Sequence, residues 1–180
     1  MRKVIRIAFA LAAVALLAVG GRSLLLRSAD FPREFDPVPF WSKRRVALND
    51  FVADFRAYGR IRSMSDGQRH WKQLNDEAYE SPAPIRRGIG RFADVMQRDS
   101  IDPRMYQNFR KRLTHLELIE VETTDRYTAF IYDGFLDNLV GFVWVAPGQP
   151  EPRVGEWMLS NTQVVSVTRL DSHWYYVVTT

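Results

Sequence analysis

Residues 118–145 read LIEVETTDRYTAFIYDGFLDNLVGFVWV, and three short runs within them decide the fold. Leu118 to Thr123, Tyr127 to Tyr132 and Leu139 to Val145 are rich in β-branched and aromatic residues, which suit a pleated, half-buried surface. Between them stand Thr124-Asp125 and the run Asp133-Gly134 to Asp137-Asn138, which favour turns. Connections this short cannot cross over, so the three strands are expected to be antiparallel neighbours. A proline-rich loop (Pro147, Pro150, Pro152) follows, with a short strand expected around Glu156 to Leu159. Val164 to Leu170 and His173 to Thr179 then form a hairpin about Asp171-Ser172. In its last strand Trp174, Tyr176 and Val178 share one face, and His173, Tyr175 and Val177 the other. Trp174 and Tyr175 therefore cannot both enter one core, and at least one aromatic is expected on an outer face or an edge.

Upstream of His115 the period changes from two to between three and four. Leu48, Phe51, Val52, Phe55 and Tyr58 mark a first helix, capped by Ser42 and stopped by Gly59. Ser65 is read as the cap of a second, carrying Trp71, Leu74 and Ala78 and ending before Pro82. A third, from Pro84, aligns Ile85, Ile89, Phe92 and Met96, although Gly88 and Gly90 each weaken it by up to ~1 kcal/mol relative to alanine. The fourth has Asp102 as cap and Pro103 in its first position, with Met105, Tyr106, Phe109, Leu113 and Leu116 on its face. One face of the sheet must be covered, and these helices are its cover. The expected fold is α+β: an N-terminal signal or anchor helix, then about four amphipathic helices packed on a curved antiparallel sheet of four to five strands.

The first residues speak to location. Arg2, Lys3 and Arg6 precede an apolar run from Ile7 to Val19, closed by Gly20 and Gly21, the layout of an export signal. A helix from Ile7 to Gly21 spans about 22 Å, short of the ~30 Å hydrocarbon core, whereas extension to Leu26 reaches about 30 Å. Residues 1–26 are accordingly a signal peptide or a signal anchor, with the balance towards an anchor. The positive head keeps the N-terminus in the cytoplasm and sends the chain outwards. Residues 27–41, with Pro32, Pro37 and Pro39, read as a linker. Residues 42–180 read as a single extracytoplasmic domain, helical over 42–116 and β over 117–180. This places the protein in the bacterial inner membrane facing the periplasm, or in the periplasm if the signal is cleaved.

Composition narrows the chemistry. The chain of 180 residues has no cysteine, which excludes disulfides, thiolate metal sites and a catalytic thiol. From Arg27 to His115 there are 18 basic against 12 acidic residues, and from Leu116 to Thr180 3 against 9, so the helical half is basic and the β half acidic. His70, His115 and His173 lack the spacing of metal ligands, and Gly88-Ile89-Gly90 lacks the third glycine and preceding strand of a phosphate loop. Glu120 and Glu122 fall on the strand face opposite Ile119 and Val121, the pattern of a half-solvated strand. Asp133 and Asp137 belong to a turn. These patterns assign no catalytic, metal or cofactor-binding residue, and no cofactor is expected.

Aromatic and basic residues are the better guide. Trp157, Trp174 and Tyr175 are candidate partner contacts, and Arg110, Lys111 and Arg112 supply an electrostatic edge. Lys43, Arg44 and Arg45 would lie nearest the membrane, where contact with anionic lipid adds about 1 kcal/mol per basic residue. Nucleic acid is not an expected partner of an exported chain. The sequence is read as a non-catalytic, protein-binding accessory module of the envelope that binds a partner protein or self-associates. The alternative is a ligand-binding or hydrolytic domain with a pocket between helices and sheet, using His115, Tyr106 and Asp133.

Overall fold

The computed structural model describes residues 35–67, 72–80, 91–135 and 138–180. The expected signal or anchor at 1–26 lies outside them. Among the described residues no helix is long and apolar enough to cross a membrane.

Helix α1 runs Pro37–Tyr58 and begins earlier than the linker reading allowed. Asp36 is its N-cap, its carboxylate accepting from the Val38 N–H at 3.0 Å. Pro37 and Pro39 occupy the first turn, where the missing N–H groups would have no intrahelical partner anyway. Gly59 closes the helix in the left-handed conformation at φ 63°. Helix α2 (Phe92–Arg98) starts after Arg91, whose backbone is extended, and so covers only the end of the third expected helix; the earlier part of that expectation, from Pro84 to Gly90, lies outside the described residues. Helix α3 (Pro103–His115) starts as read, with Asp102 accepting from the Arg104 N–H at 2.7 Å.

The second expected helix does not form. Its place holds strands β1 (Ser63–Ser65), β2 (Lys72–Leu74) and β3 (Ala78–Glu80). Asn75 and Asp76 turn β2 into β3 at φ 52° and 57°, which both residue types tolerate. The Asn75 amide fixes that turn: its oxygen accepts from the Arg62 N–H at 2.7 Å, and its nitrogen donates to Arg60 O and Asp99 Oδ2. The three- and four-residue spacing of Trp71, Leu74 and Ala78 thus misleads, because Met64 of β1 pairs with Leu74 and both are buried. The remaining strands are β4 (Glu120–Thr123), β5 (Tyr127–Phe135), β6 (Asn138–Val145), β7 (Trp157–Met158), β8 (Thr162–Arg169) and β9 (Trp174–Thr179).

Every neighbouring pair is antiparallel, in the order β3-β2-β1-β4-β5-β6-β9-β8, with β7 paired outside β8. The architecture is therefore an eight-stranded half-barrel with a short ninth strand and three described helices. It replaces the expectation of four helices on four to five strands.

Both faces of the sheet are packed. On the first, Phe51 of α1 meets Phe109 of α3 and Phe130 of β5, at ring separations of 5.4 and 5.2 Å. Phe40 stacks on Phe142 at 5.0 Å, and Trp174 lies over Phe130. On the second face Ala129, Val143, Val145, Tyr175 and Val177 form a smaller core with Met158, Leu159 and Val164, supplied by β7, its following turn and the start of β8. This second layer explains why Trp174 and Tyr175 are both buried although they point in opposite directions. Close approach of β5 and β6 demands glycine at 141, where a Cβ would stand 2.6 Å from the Phe130 carbonyl oxygen.

Candidate functional site

Two arrangements stand apart from packing, and both involve β7 and the turn after it. The first starts from Arg126. Its Nε and Nη2 donate to the carbonyls of Pro150 and Glu151 at 2.9 Å, and its guanidinium forms an ion pair with Glu156. Glu156 also accepts from the Arg153 N–H, and the Arg126 bond holds its carboxyl below the usual carboxylate range. One arginine thereby fixes the proline-rich loop onto the start of β5. The loop delivers Trp157 on β7 62 % exposed while Met158, the next residue, is buried. Val154 of the same loop and Val165 of β8 are also exposed, by 67 % and 46 %. A large aromatic side chain held outwards by a hydrogen-bonded loop loses little further freedom on docking.

The second arrangement is a carboxylate cluster. Leu159, Ser160 and Asn161 are three consecutive residues at positive φ (46°, 55° and 64°), each costing about 1 kcal/mol or more unless the surroundings impose it. The surroundings do. Thr162 Oγ1 lies 2.8 Å from Leu159 O and 2.7 Å from Thr179 Oγ1, and Leu159 is fully buried in the second core. The Ser160 N–H donates to Glu122 Oε2 at 2.9 Å, Tyr127 Oη donates to Glu122 Oε1 at 3.0 Å, and Ser160 Oγ reaches Glu120 Oε1 at 3.4 Å.

Burial, with the neighbouring charges of Glu122 and Asp76, pushes the Glu120 carboxyl up to about 8. Burial also raises Glu122, against which the donors Ser160 and Tyr127 favour its charged form. Tyr127 is itself raised by burial and by Glu122. Burial raises both carboxyls, and of the two it is Glu122 whose rise the Ser160 N–H and Tyr127 hydroxyl partly offset. Sequence alternation found the shared face of these glutamates; the turn folded over them was not visible in it.

Other expected contacts are dispersed. Trp174 is buried and donates from Nε1 to Asn49 Oδ1 at 2.9 Å, and Tyr175 lies in the second core below the Arg169 guanidinium. Of the α3 cluster, Arg110 is spent on the Asp66 carbonyl at 2.6 Å and Arg112 on Asp54 at 2.7 Å and the Phe51 ring, which leaves Lys111 exposed. Arg44 pairs with Glu117 and lies over Phe40, Arg45 pairs with Asp171, and Lys43 is exposed. His115 borders a cavity of about 190 Å³ with Asp50 and Arg112. Tyr106, nine residues earlier on α3 and so about 13 Å along its axis, is buried, and Asp133 lies near Tyr176. The structure does not gather His115, Tyr106 and Asp133 into one site. His70 is outside the described residues. Among the described residues, no group of three His, Asp or Glu side chains is arranged to hold a metal ion.

Comparison with protein-family models, with curated proteins and with solved structures returns no match to this chain.

Proposed function

We propose that this protein is a non-catalytic binding module of the bacterial envelope, held at the inner membrane by residues 1–26, that docks another protein on the outer edge formed by β7 and β8. The observation that carries this reading is Trp157. It is the one aromatic left largely exposed among the large hydrophobic side chains described, and its loop is fixed by Arg126 and Glu156. Both sheet faces are filled, which favours a surface site over an internal ligand cavity. Lys43, near the start of α1, remains available for anionic lipid.

The test is co-purification of tagged full-length protein from gently solubilised membranes that also contain the untagged chain. Trp157→Ala is run beside Lys111→Ala, with circular dichroism as the folding control. A partner retained by wild type and Lys111→Ala and lost by a folded Trp157→Ala supports the reading. Retention by Trp157→Ala refutes it.

A second reading, a hydrolytic domain, rests on the Glu120–Glu122 pair, whose unequal environments suit an acid and a base. Against it, the Ser160 and Tyr127 bonds already employ both oxygens of Glu122 in holding the turn. Hydrolysis of a generic ester or glycoside panel by wild type, abolished in Glu122→Gln, would establish this reading in place of the first.

A further inference from the structure

β8 is eight residues long, and β7 covers only its beginning: Trp157 pairs with Gln163 and Met158 with Thr162. One more residue is engaged on that side, Val164, which accepts from Gly155 N–H and donates to Glu156 O at 2.8 Å. From Val165 to Arg169 no described strand lies on the side away from β9.

The direction of the backbone groups there follows from the hairpin. Leu170 N–H donates to Trp174 O, and Thr168 and Ser166 pair with Tyr176 and Val178 in the same alternation. The even-numbered residues therefore bond inwards to β9, and the N–H and C=O groups of Val167 and Arg169 point outwards. Exposed edges are usually blunted by charge, proline or a bulge. Val165 to Thr168 carry neither charge nor proline, and the one register shift, between Val164 and Ser166, lies at the start of the open stretch and leaves Ser166 to Arg169 in regular pairing with β9.

This five-residue edge is complementary to itself. Laid antiparallel on a second copy with Val167 opposite Val167, it sets Ser166 against Thr168 and Val165 against Arg169. Hydroxyl pairs and β-branched pairs across strands are favourable, and no like charges face one another. Centring on Arg169 would oppose two arginines. The Val167-centred register also uses the outward backbone groups, since both Val167 residues then exchange their N–H and C=O bonds. β7 ends the open stretch at one side, and by symmetry the second copy's β7 ends it at the other, so the paired segment has the length of the gap. Trp157, beside Gln163, then stands at the end of the incoming strand near its Leu170–Asp171 turn. That contact covers an apolar ring which the single chain leaves in solvent.

We propose that the chain pairs with a second copy of itself by antiparallel addition of β8 to β8 about Val167, joining two half-barrels into one continuous sheet. The proposal rests on the reading of the β7–β8 edge as a docking surface and names its occupant.

The absence of cysteine allows a clean test in the full-length protein. In the proposed register the Val167 Cα atoms of the two copies lie about 5.5 Å apart, within the span of a disulfide, whereas the Arg169 Cα atoms lie about 14 Å apart. Mild oxidation of Val167→Cys in gently solubilised membranes is expected to give a disulfide-linked dimer as the major species, and Arg169→Cys to give no disulfide-linked product. Val167→Pro removes an N–H that serves only the second copy. It is expected to halve the protein mass measured by light scattering in detergent, with a native circular dichroism spectrum as the folding control, although the unfolding midpoint falls because Val167 also packs on the second core and the dimer's contribution is lost.

A monomeric wild type with no Val167→Cys product overturns the proposal, as does equal cross-linking of Val167→Cys and Arg169→Cys. If that happens while a different protein still co-purifies through Trp157, self-pairing fails and the docking surface stands. If Trp157→Ala also has no effect on co-purification, both fail.

Discussion

Replacing Glu120 by glutamine should stabilise the protein at neutral pH and leave it unchanged in acid. In the unfolded chain this carboxyl titrates near 4.5, whereas in the fold burial and the charges of Glu122 and Asp76 raise it to about 8. Between those values the native state keeps a proton that the unfolded state releases. Stability therefore falls as pH rises, by up to ~1.4 kcal/mol per unit for this one group. From 4.5 to 7 the ceiling is about 3.4 kcal/mol; relaxation and sharing of the proton with Glu122 bring the expected figure to roughly 1.5–3 kcal/mol. Glutamine keeps the size and an oxygen for the Ser160 hydroxyl but cannot ionise. Urea unfolding of wild type and Glu120→Gln, followed by tryptophan fluorescence at pH 4.5, 6, 7 and 8.5, measures the difference directly. The curves should coincide at pH 4.5 and separate steadily above it, with the variant the more stable. A variant less stable than wild type at pH 7, or a wild type whose stability rises from pH 5 to 8 through this group, would refute the reasoning.

Other substitutions probe the scaffold. Gly141→Ala places a Cβ 2.6 Å from the Phe130 carbonyl and should cost about 1–3 kcal/mol in urea unfolding. Asn75→Ala removes the bonds to Arg62, Arg60 and Asp99 at a left-handed position, and a loss of roughly 2–3 kcal/mol is expected. Arg126→Ala should free the proline-rich loop, seen as faster amide exchange over residues 147–157, with a global loss of only about 1 kcal/mol because the Glu156 pair is partly exposed. Asp102→Ala deletes a helix cap and should lower stability by about 1 kcal/mol in the same urea assay.

The β half was legible because its strands carry their pattern locally: each run from β4 to β9 lies within a few residues of its expected place. The helical half shows what local pattern omits. Asp102-Pro103 and Asp36-Pro37 are the same start signal, yet the second was hidden by a further proline at 39 and by the lack of polar–apolar periodicity before Leu48. Trp71, Leu74 and Ala78 have helix-like spacing, but Ser63, Met64 and Ser65 of β1 pair across a long sequence gap with Glu122, Val121 and Glu120 of β4, and β2 and β3 pair onto that edge in turn. Strand alternation alone puts Trp174 and Tyr175 on opposite faces and leaves one of them uncovered. Their burial follows from Met158, Leu159 and Val164 folding over the other face, a tertiary event that strand alternation does not encode. The proline-rich setting singles out Trp157, which the fold leaves exposed, whereas the charges that hold its loop, Arg126 and Glu156, are 30 residues apart and give no local signal.

If the β7–β8 edge meets another polypeptide, as proposed, a photoreactive amino acid at position 157 captures it in living cells. Cells producing the full-length chain with benzoylphenylalanine in place of Trp157 are irradiated, with the same group at exposed Lys111 as the comparison. A discrete adduct from position 157, a second copy or another protein, and none from position 111 is the predicted result. A folded protein that gives no adduct from position 157, or the same diffuse products from both positions, would contradict the account.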